Sequence, residues 1–193
     1  MFKRIQPRDT PRDPTWQAAP AAAGAWRRWL TDRGSLTQRI EARAPGMQVK
    51  LLFEGRRRLH RDERFLARGT ARALTRDVLL VCGAQPVVYA HSVLRPSHGS
   101  ERGVGWRLMR GMGARPLGAA LFADPRIRRL ALRQQKLPRG HELHRCATRA
   151  LRTGSASKPH ATSSSLWARR SLFRVGNSLI LVSEVFLPGV LTL

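Results

Sequence analysis

Two charged residues lie in stretches whose other residues are typical of a sheet interior. Glu184 stands in SLILVSEVFLP and is the only acidic residue between Leu143 and Leu193, while Arg76 stands in LTRDVLL. By the two-residue period of a strand, each charge shares a face with apolar neighbours: Ile180, Val182 and Phe186 beside Glu184, and Leu74, Val78 and Leu80 beside Arg76. Burying an isolated charge is costly, so each of them needs a partner.

These two residue types suit a particular chemistry. The guanidinium fork of Arg76 can donate two parallel hydrogen bonds to a planar carboxylate. A carboxylate such as Glu184, in apolar surroundings, can hold a hydroxyl group or accept a proton as a general base. Two hypotheses follow: a buried Arg76–Glu184 ion pair that only supports the structure, or a small anionic molecule that lies between the two side chains.

The flanking sequence predicts the elements that carry the two charges. Arg76 precedes a hairpin turn at Gly83 to Pro86, and Glu184 follows a tight turn at Gly176–Asn177, with β-rich runs on both sides of each turn. A further strand is expected at 47–55. We therefore expect an α+β domain, a single unit built on an antiparallel sheet with helices packed on it.

Helices are expected in the first half and the middle of the chain. One begins near Gly24, and the spacing of Leu36 and Ile40 predicts a second that Ser35 caps. Helical stretches are expected over 105–135, interrupted at 111–118 by a Gly-rich turn that could expose backbone N–H groups. Residues 1–24 read as a flexible N-terminal arm, 25–193 as the domain, and 141–165 as a flexible insertion within it.

The composition of the chain argues against several classes of protein. The 193 residues carry 36 basic and 12 acidic side chains, a net charge of +24, but the arginines are spread along the chain and do not form one basic block. Two cysteines make neither a disulfide framework nor a thiolate metal cluster. No uncharged run reaches the ~18 residues of a membrane span, and the N-terminus has no apolar leader. The expectation is a soluble, cytoplasmic and monomeric protein.

The ordered set TRDVLL, RPLGAALF, LWARRSLF and SEVFLP resembles the chorismate pyruvate-lyase family, from about Trp29 to Pro188 and without the insertion. The resemblance implies a lyase that converts chorismate into 4-hydroxybenzoate and pyruvate, the first step of ubiquinone biosynthesis, with no metal or organic cofactor. It also implies four residues that bind substrate and product: Leu36 and Leu117 through the backbone, Arg76 through the ring carboxylate, and Glu184. Catalysis would rest on Arg76 and Glu184, the latter as a base or as the group that positions the hydroxyl.

One departure from the family pattern concerns the second carboxylate of chorismate. The family often has an arginine shortly after the alanine of YAHSVLRP, where Ser92 stands here. Arg95 or His91 is the candidate replacement.

Three other readings have sequence support. His141, His144, Cys146 and His160 could be assembled into a zinc site, although their spacing fits no usual finger. EGRRRLHRDERF could bind nucleic acid, but Asp62 and Glu63 within it favour an ordinary solvated face. A ligand-sensing module of similar fold is the non-enzymatic alternative, and residues 1–28 are too few and too proline-rich for the helix-turn-helix that such a protein normally needs.

Overall fold

The computed structural model describes residues 15–20, 22–66, 71–95, 103–154 and 164–193. Its framework is one sheet of six strands in the order β1-β2-β3-β6-β5-β4, in which all neighbours run antiparallel. The strands are β1 Gln48–Arg58, β2 Arg72–Cys82, β3 Gln85–Arg95, β4 Arg128–Pro138, β5 Ser165–Val175 and β6 Ser178–Phe186. The α+β class and the antiparallel sheet are confirmed.

In the part of the chain that the structure describes, five α-helices and three 3₁₀ segments complete the fold. The helices are α1 Arg27–Leu30, α2 Leu36–Glu41, α3 Val104–Arg110, α4 Leu117–Ala123 and α5 Glu142–Gly154; the 3₁₀ segments are Gly24–Trp26, Arg61–Leu66 and Pro188–Thr192. The side chain of Ser35 accepts a hydrogen bond from the backbone N–H of Gln38, as the capping pattern predicts. Every helix within the described ranges is too short or too polar to cross a membrane.

Two tight turns set the register of the central strands. The β2–β3 turn contains Gly83 and the β5–β6 turn contains Gly176, and both glycines have φ of +57°, a conformation that side chains disfavour. Both predicted hairpins are confirmed. The second turn pairs Val175 with Ser178, and the register continues without interruption to Ala168 and Val185.

The sheet has two covered faces. Helices α1 to α4 cover the face that carries Arg76 and Glu184, which we call the site face. Its apolar side chains form two clusters, one around Trp29, Leu36 and Phe186 and one around Leu117, Met109 and Ile180. Helix α5 and the 3₁₀ segment Arg61–Leu66 cover the opposite face, where Leu143 and Ala147 pack against the sheet.

The structure corrects two expectations about flexible segments. Helix α5 occupies most of the predicted insertion, because Leu143, Ala147 and Ala150 recur at helical spacing and are buried. The buried stripe of this helix consists largely of alanines, so the segment has few large apolar residues although it packs against the sheet. Residues 155–163 lie outside the described ranges. The predicted arm is also wrong for 15–20, since Trp16 is buried and the backbone of Gln17 pairs with Gln134.

Two further expectations are wrong. Residues 128–135, expected to be helical, belong to the edge strand β4, where pairing with β5 overrides local helix propensity. The segment EGRRRLHRDERF is not the ordinary solvated face that its acidic residues favoured. β1 continues to Arg58, and the following 3₁₀ segment buries Glu63 completely.

Candidate active site

Arg76 lies inside the site face with its donors only partly used. The residue is 1% exposed, and its Nη2 donates to the carbonyl oxygens of Gly113 (2.7 Å) and Arg115 (3.0 Å) in the turn before α4. Its Nε is buried and has no hydrogen-bond partner within the described ranges. Burial lowers the pKa of Arg76, and the charge of Glu54 opposes that shift. A buried guanidinium with an unused donor is suited to bind an anion.

Glu184 pairs with Arg169 and not with Arg76. The Nε of Arg169 donates to Oε2 of Glu184 at 2.5 Å, and its Nη2 donates to Oε1 at 3.5 Å. The Nη1 of Arg169 donates to the carbonyl oxygens of Trp29 (3.2 Å) and Asp32 (2.9 Å). Arg169 therefore ties Glu184 to the loop between α1 and α2, and the hypothesis of a direct Arg76–Glu184 ion pair is wrong.

The register keeps the two charges apart on one face. Arg76 is paired with Ser92, which is paired with Val182, and Glu184 follows two residues later on the same strand. Two strand spacings and two residues of rise separate their Cα atoms by about 12 Å. The neighbouring Ala90, Ser92 and Val182 are small, so the sheet between the charges carries short side chains. A span of this size accommodates a six-membered ring with a substituent at each end.

Leu36 and Leu117 lie on helices that cover this span. Leu36 begins α2 and packs with Val78 and Phe186, while Leu117 begins α4 and packs with Ile180 and Val182. The two helix starts approach each other closely: a Cβ at Gly118 would lie 3.4 Å from Oγ1 of Thr37. Each leucine side chain is 5% exposed or less, so the positions suit an apolar wall. Ligand contact through their backbone N–H groups stays a prediction.

The candidate replacements for the missing arginine are misplaced. Strand alternation puts Ser92 on the site face but His91 and Arg95 on the opposite face. There Nδ1 of His91 lies 2.5 Å from Oδ1 of Asp77, and its Nε2 lies 3.3 Å from Glu63. Neither residue can reach a ligand between Arg76 and Glu184.

His60, Glu63 and His91 on the opposite face bring three possible metal ligands within 4.8 Å of one another. The rings of His60 and His91 are stacked, with centroids 4.6 Å apart and planes 22° from parallel. A metal ion lies close to the plane of each imidazole that binds it, and two stacked rings share no such position nearby. Paired with Asp77 and Glu63, His91 instead completes a buried charge network that also includes Arg170.

Arg169 is a residue of the candidate site that the sequence reasoning did not single out, although a signal for it was present. Folding the chain back at Gly176–Asn177 without a bulge places Arg169 opposite Glu184, which is the observed register. The cross-strand pairing rule, applied to the predicted hairpin, identifies this neighbour.

Comparison with known proteins shows the family of this chain. The sequence profile described as chorismate lyase matches residues 10–192. This chain belongs to the chorismate lyase family. A probable chorismate pyruvate-lyase from Azoarcus sp. (strain BH72) is 47% identical over 184 residues, which cover 93% of each chain. A second, from Aromatoleum aromaticum, is 44% identical over 95% of this chain and 97% of its own length.

Similarity among solved structures is much lower. The ligand-binding domain of a putative GntR-family transcriptional regulator from Bordetella bronchiseptica has a TM-score of 0.45 and 14% identity, over 74% of this chain and 84% of that one. That similarity is too low to support an inference about function. Membership in the chorismate lyase family therefore rests on sequence, and the paired arginine and carboxylate of the site face are what the structure adds.

Proposed function

We propose that this protein is a chorismate lyase that eliminates the enolpyruvyl group of chorismate to give 4-hydroxybenzoate and pyruvate. The observation that carries the proposal is the pair of opposite charges on the site face. Arg76 is buried with an unpartnered Nε, and Glu184 lies on the same face but is bound to Arg169. In a chain of the chorismate lyase family, that arrangement fits a small aromatic acid with a hydroxyl at its far end.

The reaction needs orientation more than reactive groups of the protein. The C3–O bond of chorismate breaks, a proton leaves C4, and the ring becomes the aromatic ring of 4-hydroxybenzoate. The departing enolate takes up a proton and becomes pyruvate, so atoms and charge balance without an oxidant or a reductant. Gain of aromaticity drives the step, and the protein supplies a fixed pose and stabilises the charge on the leaving oxygen.

Each site residue contributes differently to holding the substrate in this pose. The Nε of Arg76 and its remaining N–H groups bind the ring carboxylate, and the carbonyls of Gly113 and Arg115 fix the guanidinium. Glu184 binds the hydroxyl at C4. The backbone at Leu36 and Leu117 contacts the ligand from the helix side, and both side chains exclude water. We infer that the chain acts as a monomer in the cytoplasm.

A direct assay tests the proposal. Purified protein is incubated with chorismate in the presence of EDTA, 4-hydroxybenzoate is followed by its absorbance, and pyruvate is measured with lactate dehydrogenase. We expect equal amounts of both products. No product above the uncatalysed rate, together with nucleic-acid binding that survives physiological salt, would support the binding-module alternative.

The Arg76→Met variant tests whether ligand affinity depends on this site. Loss of a charged hydrogen-bond donor from a buried carboxylate site costs about 2–4 kcal/mol, so the Kd for 4-hydroxybenzoate should rise about 30-fold to 1000-fold. Arg72→Met is the matched control, since Arg72 lies on the same strand and its side chain is exposed. Equal affinity in both variants would contradict the assignment of Arg76.

A further inference from the structure

A second guanidinium reaches the site face from the edge of the sheet. Arg129 lies on β4 and is paired with Phe173, whose side chain packs on the same face as Ile180 and Val182. Its guanidinium carbon lies 5.2 Å from the ring centroid of Phe122, on α4, and its Nη2 donates to the carbonyl oxygen of Arg33. Helix α4 and the loop before α2 therefore hold this side chain over the sheet.

The two arginines bind consecutive carbonyls. Arg169 donates to the carbonyl of Asp32, and Arg129 donates to that of Arg33, the next residue. Their guanidinium groups are consequently neighbours. Burial lowers the pKa of Arg129, the nearby charge of Arg169 lowers it further, and the charge of Glu184 opposes both.

The carboxylates of Glu184 and Asp32 lie near this pair of cations, and both are already bound to arginines. Glu184 is bound to Arg169, and the side chain of Asp32 is bound to Arg39. The Nη1 of Arg129 is buried and has no hydrogen-bond partner within the described ranges. The Glu184 end of the site thus has an excess positive charge and an unused donor, which is a setting that favours a second anionic group.

Chorismate carries a second anionic group that would lie at the Glu184 end of the site. With its ring carboxylate on Arg76 and its C4 hydroxyl on Glu184, the ether substituent at the neighbouring C3 carries its own carboxylate toward the Glu184 side. Ser92 has no charge to offer, and the side chains of His91 and Arg95 lie on the other face of the sheet. Arg129 is a cation at that end with a buried donor that has no partner within the described ranges.

We propose that Arg129 binds the enolpyruvyl carboxylate of chorismate through its Nη1 and so makes the site selective for the dianionic substrate over its monoanionic aromatic product. This inference rests on the proposed function. A cation beside the leaving group also stabilises the negative charge that grows on the ether oxygen as the C3–O bond breaks. When pyruvate leaves, Arg129 loses its partner while Arg76 and Glu184 keep theirs.

The test compares Arg129→Met with Arg128→Met, the matched control. Arg128 is the preceding residue on β4 and its side chain is exposed, so its removal changes the net charge equally. We expect kcat/KM for chorismate to fall about 30-fold or more in Arg129→Met, while the Kd for 4-hydroxybenzoate stays within about 3-fold of the wild type. Arg129→Lys, which keeps the charge, should recover most of the loss.

A stable probe separates this inference from the proposed function. 3-(Carboxymethoxy)-4-hydroxybenzoate carries a second carboxylate near the position of the enolpyruvyl one, and its side-chain methyl ester lacks that charge. The wild type should bind the diacid more tightly than the ester by about 10-fold, and Arg129→Met should bind both equally. This comparison needs no turnover and can be made with Arg129→Gln if the methionine variant does not fold.

These experiments distinguish failure of the proposed function from failure of the role assigned to Arg129. A wild type that makes no product from chorismate overturns the proposed function. A wild type that makes product, with Arg129→Met equally active or with its affinity for 4-hydroxybenzoate reduced in parallel, overturns only the role of Arg129. Equal binding of the diacid and its ester by the wild type also overturns that role.

Discussion

At the scale of single residues, the site depends on which partner each charge has. Among the described residues, the partners of Arg76 are two backbone carbonyls, whereas Glu184 is held at both oxygens by Arg169. Transfer of a proton onto Glu184 would weaken that ion pair. Its free lone pairs can still accept a hydroxyl group, so the geometry favours a positioning role for Glu184 over that of a general base.

Glu184→Gln tests this assignment. The amide oxygen can still accept the C4 hydroxyl, so we expect kcat to fall by less than about 10-fold, whereas a lost general base costs about 10²–10⁴. Glu184→Ala, which removes the contact, should be worse than Glu184→Gln. Steady-state kinetics with chorismate measures both, and a loss of a thousand-fold in Glu184→Gln would assign the base role instead.

Arg169 should act as a positioning residue whose effect goes beyond stability. Arg169→Met leaves Glu184 without this arginine and removes the donor from the carbonyls of Trp29, in α1, and Asp32, in the loop after it. Breaking a buried pair costs about 3–5 kcal/mol of unfolding free energy. In addition, kcat/KM for chorismate should fall at least about 10-fold, measured at a temperature well below the Tm of the variant.

Arg170→Met is the control for that experiment. Arg170 is equally buried and paired, with Asp62, but lies on the opposite face of the sheet. Both variants should lose stability, and only Arg169→Met should lose catalytic efficiency. Equal kinetic losses in the two variants would show that the role of Arg169 is structural only.

At the scale of elements, a buried charge network attaches the 3₁₀ segment Arg61–Leu66 to the opposite face. His91 on β3 lies between Asp77 on β2 and Glu63 on the segment. Burial alone would lower the pKa of His91, but the charge of Glu63 and hydrogen bonds with Asp77 and Glu63 outweigh it and raise the pKa to about 10. His91 is therefore an imidazolium at neutral pH.

The stability of the fold should fall in mild alkali. The pKa of His91 is raised from 6.5 to about 10 on folding, so its contribution is complete below pH 6.5 and is lost as the pH rises to 10. The slope of the unfolding free energy can reach about −1.4 kcal/mol per pH unit in this range. Urea denaturation at several pH values measures it.

NMR titration of the His91 imidazole in the folded wild type provides an independent check. It should show a midpoint well above pH 8. In His91→Gln, the stability of the variant should change much less between pH 6.5 and 10. A wild-type midpoint near 6.5 would contradict the role assigned to the network.

At the scale of the whole molecule, the net charge of +24 forms a field that favours small anions. Arginines on several strands contribute to it, and the acidic side chains that pair with some of them are already subtracted in this net charge. The field should accelerate the encounter with dianionic chorismate more than the chemical step.

The salt dependence of catalysis should show this effect. Between about 20 and 500 mM NaCl the Debye length shrinks from roughly 20 to 4 Å, so kcat/KM for chorismate should decrease several-fold while kcat changes little. Steady-state kinetics over that range measures both constants. A kcat/KM that is independent of salt would show that the field contributes nothing to substrate capture.

The sequence by itself determined the antiparallel α+β class, the two hairpins, and the faces on which Arg76 and Glu184 lie. Those features depend on the two-residue period of strands and on turns that need glycine, which are local properties. Apolar periodicity also placed α2 and its Ser35 cap, and the order of motifs indicated the chorismate lyase family.

Apart from the cross-strand Arg169–Glu184 pair, which the hairpin register implies, only the tertiary structure decided what the charged side chains touch. Arg169, Arg129 and the carbonyls they bind come from elements far apart in sequence, and their contacts depend on strand order and on long side chains that can reach several partners. The same dependence explains the errors at β4 and α5: pairing with β5 made a strand of a helix-prone segment, and the sheet surface buried a helix whose apolar stripe is mostly alanine. Local patterns set the preference of an element, while long-range pairing and packing can override that preference and decide what its charged side chains touch.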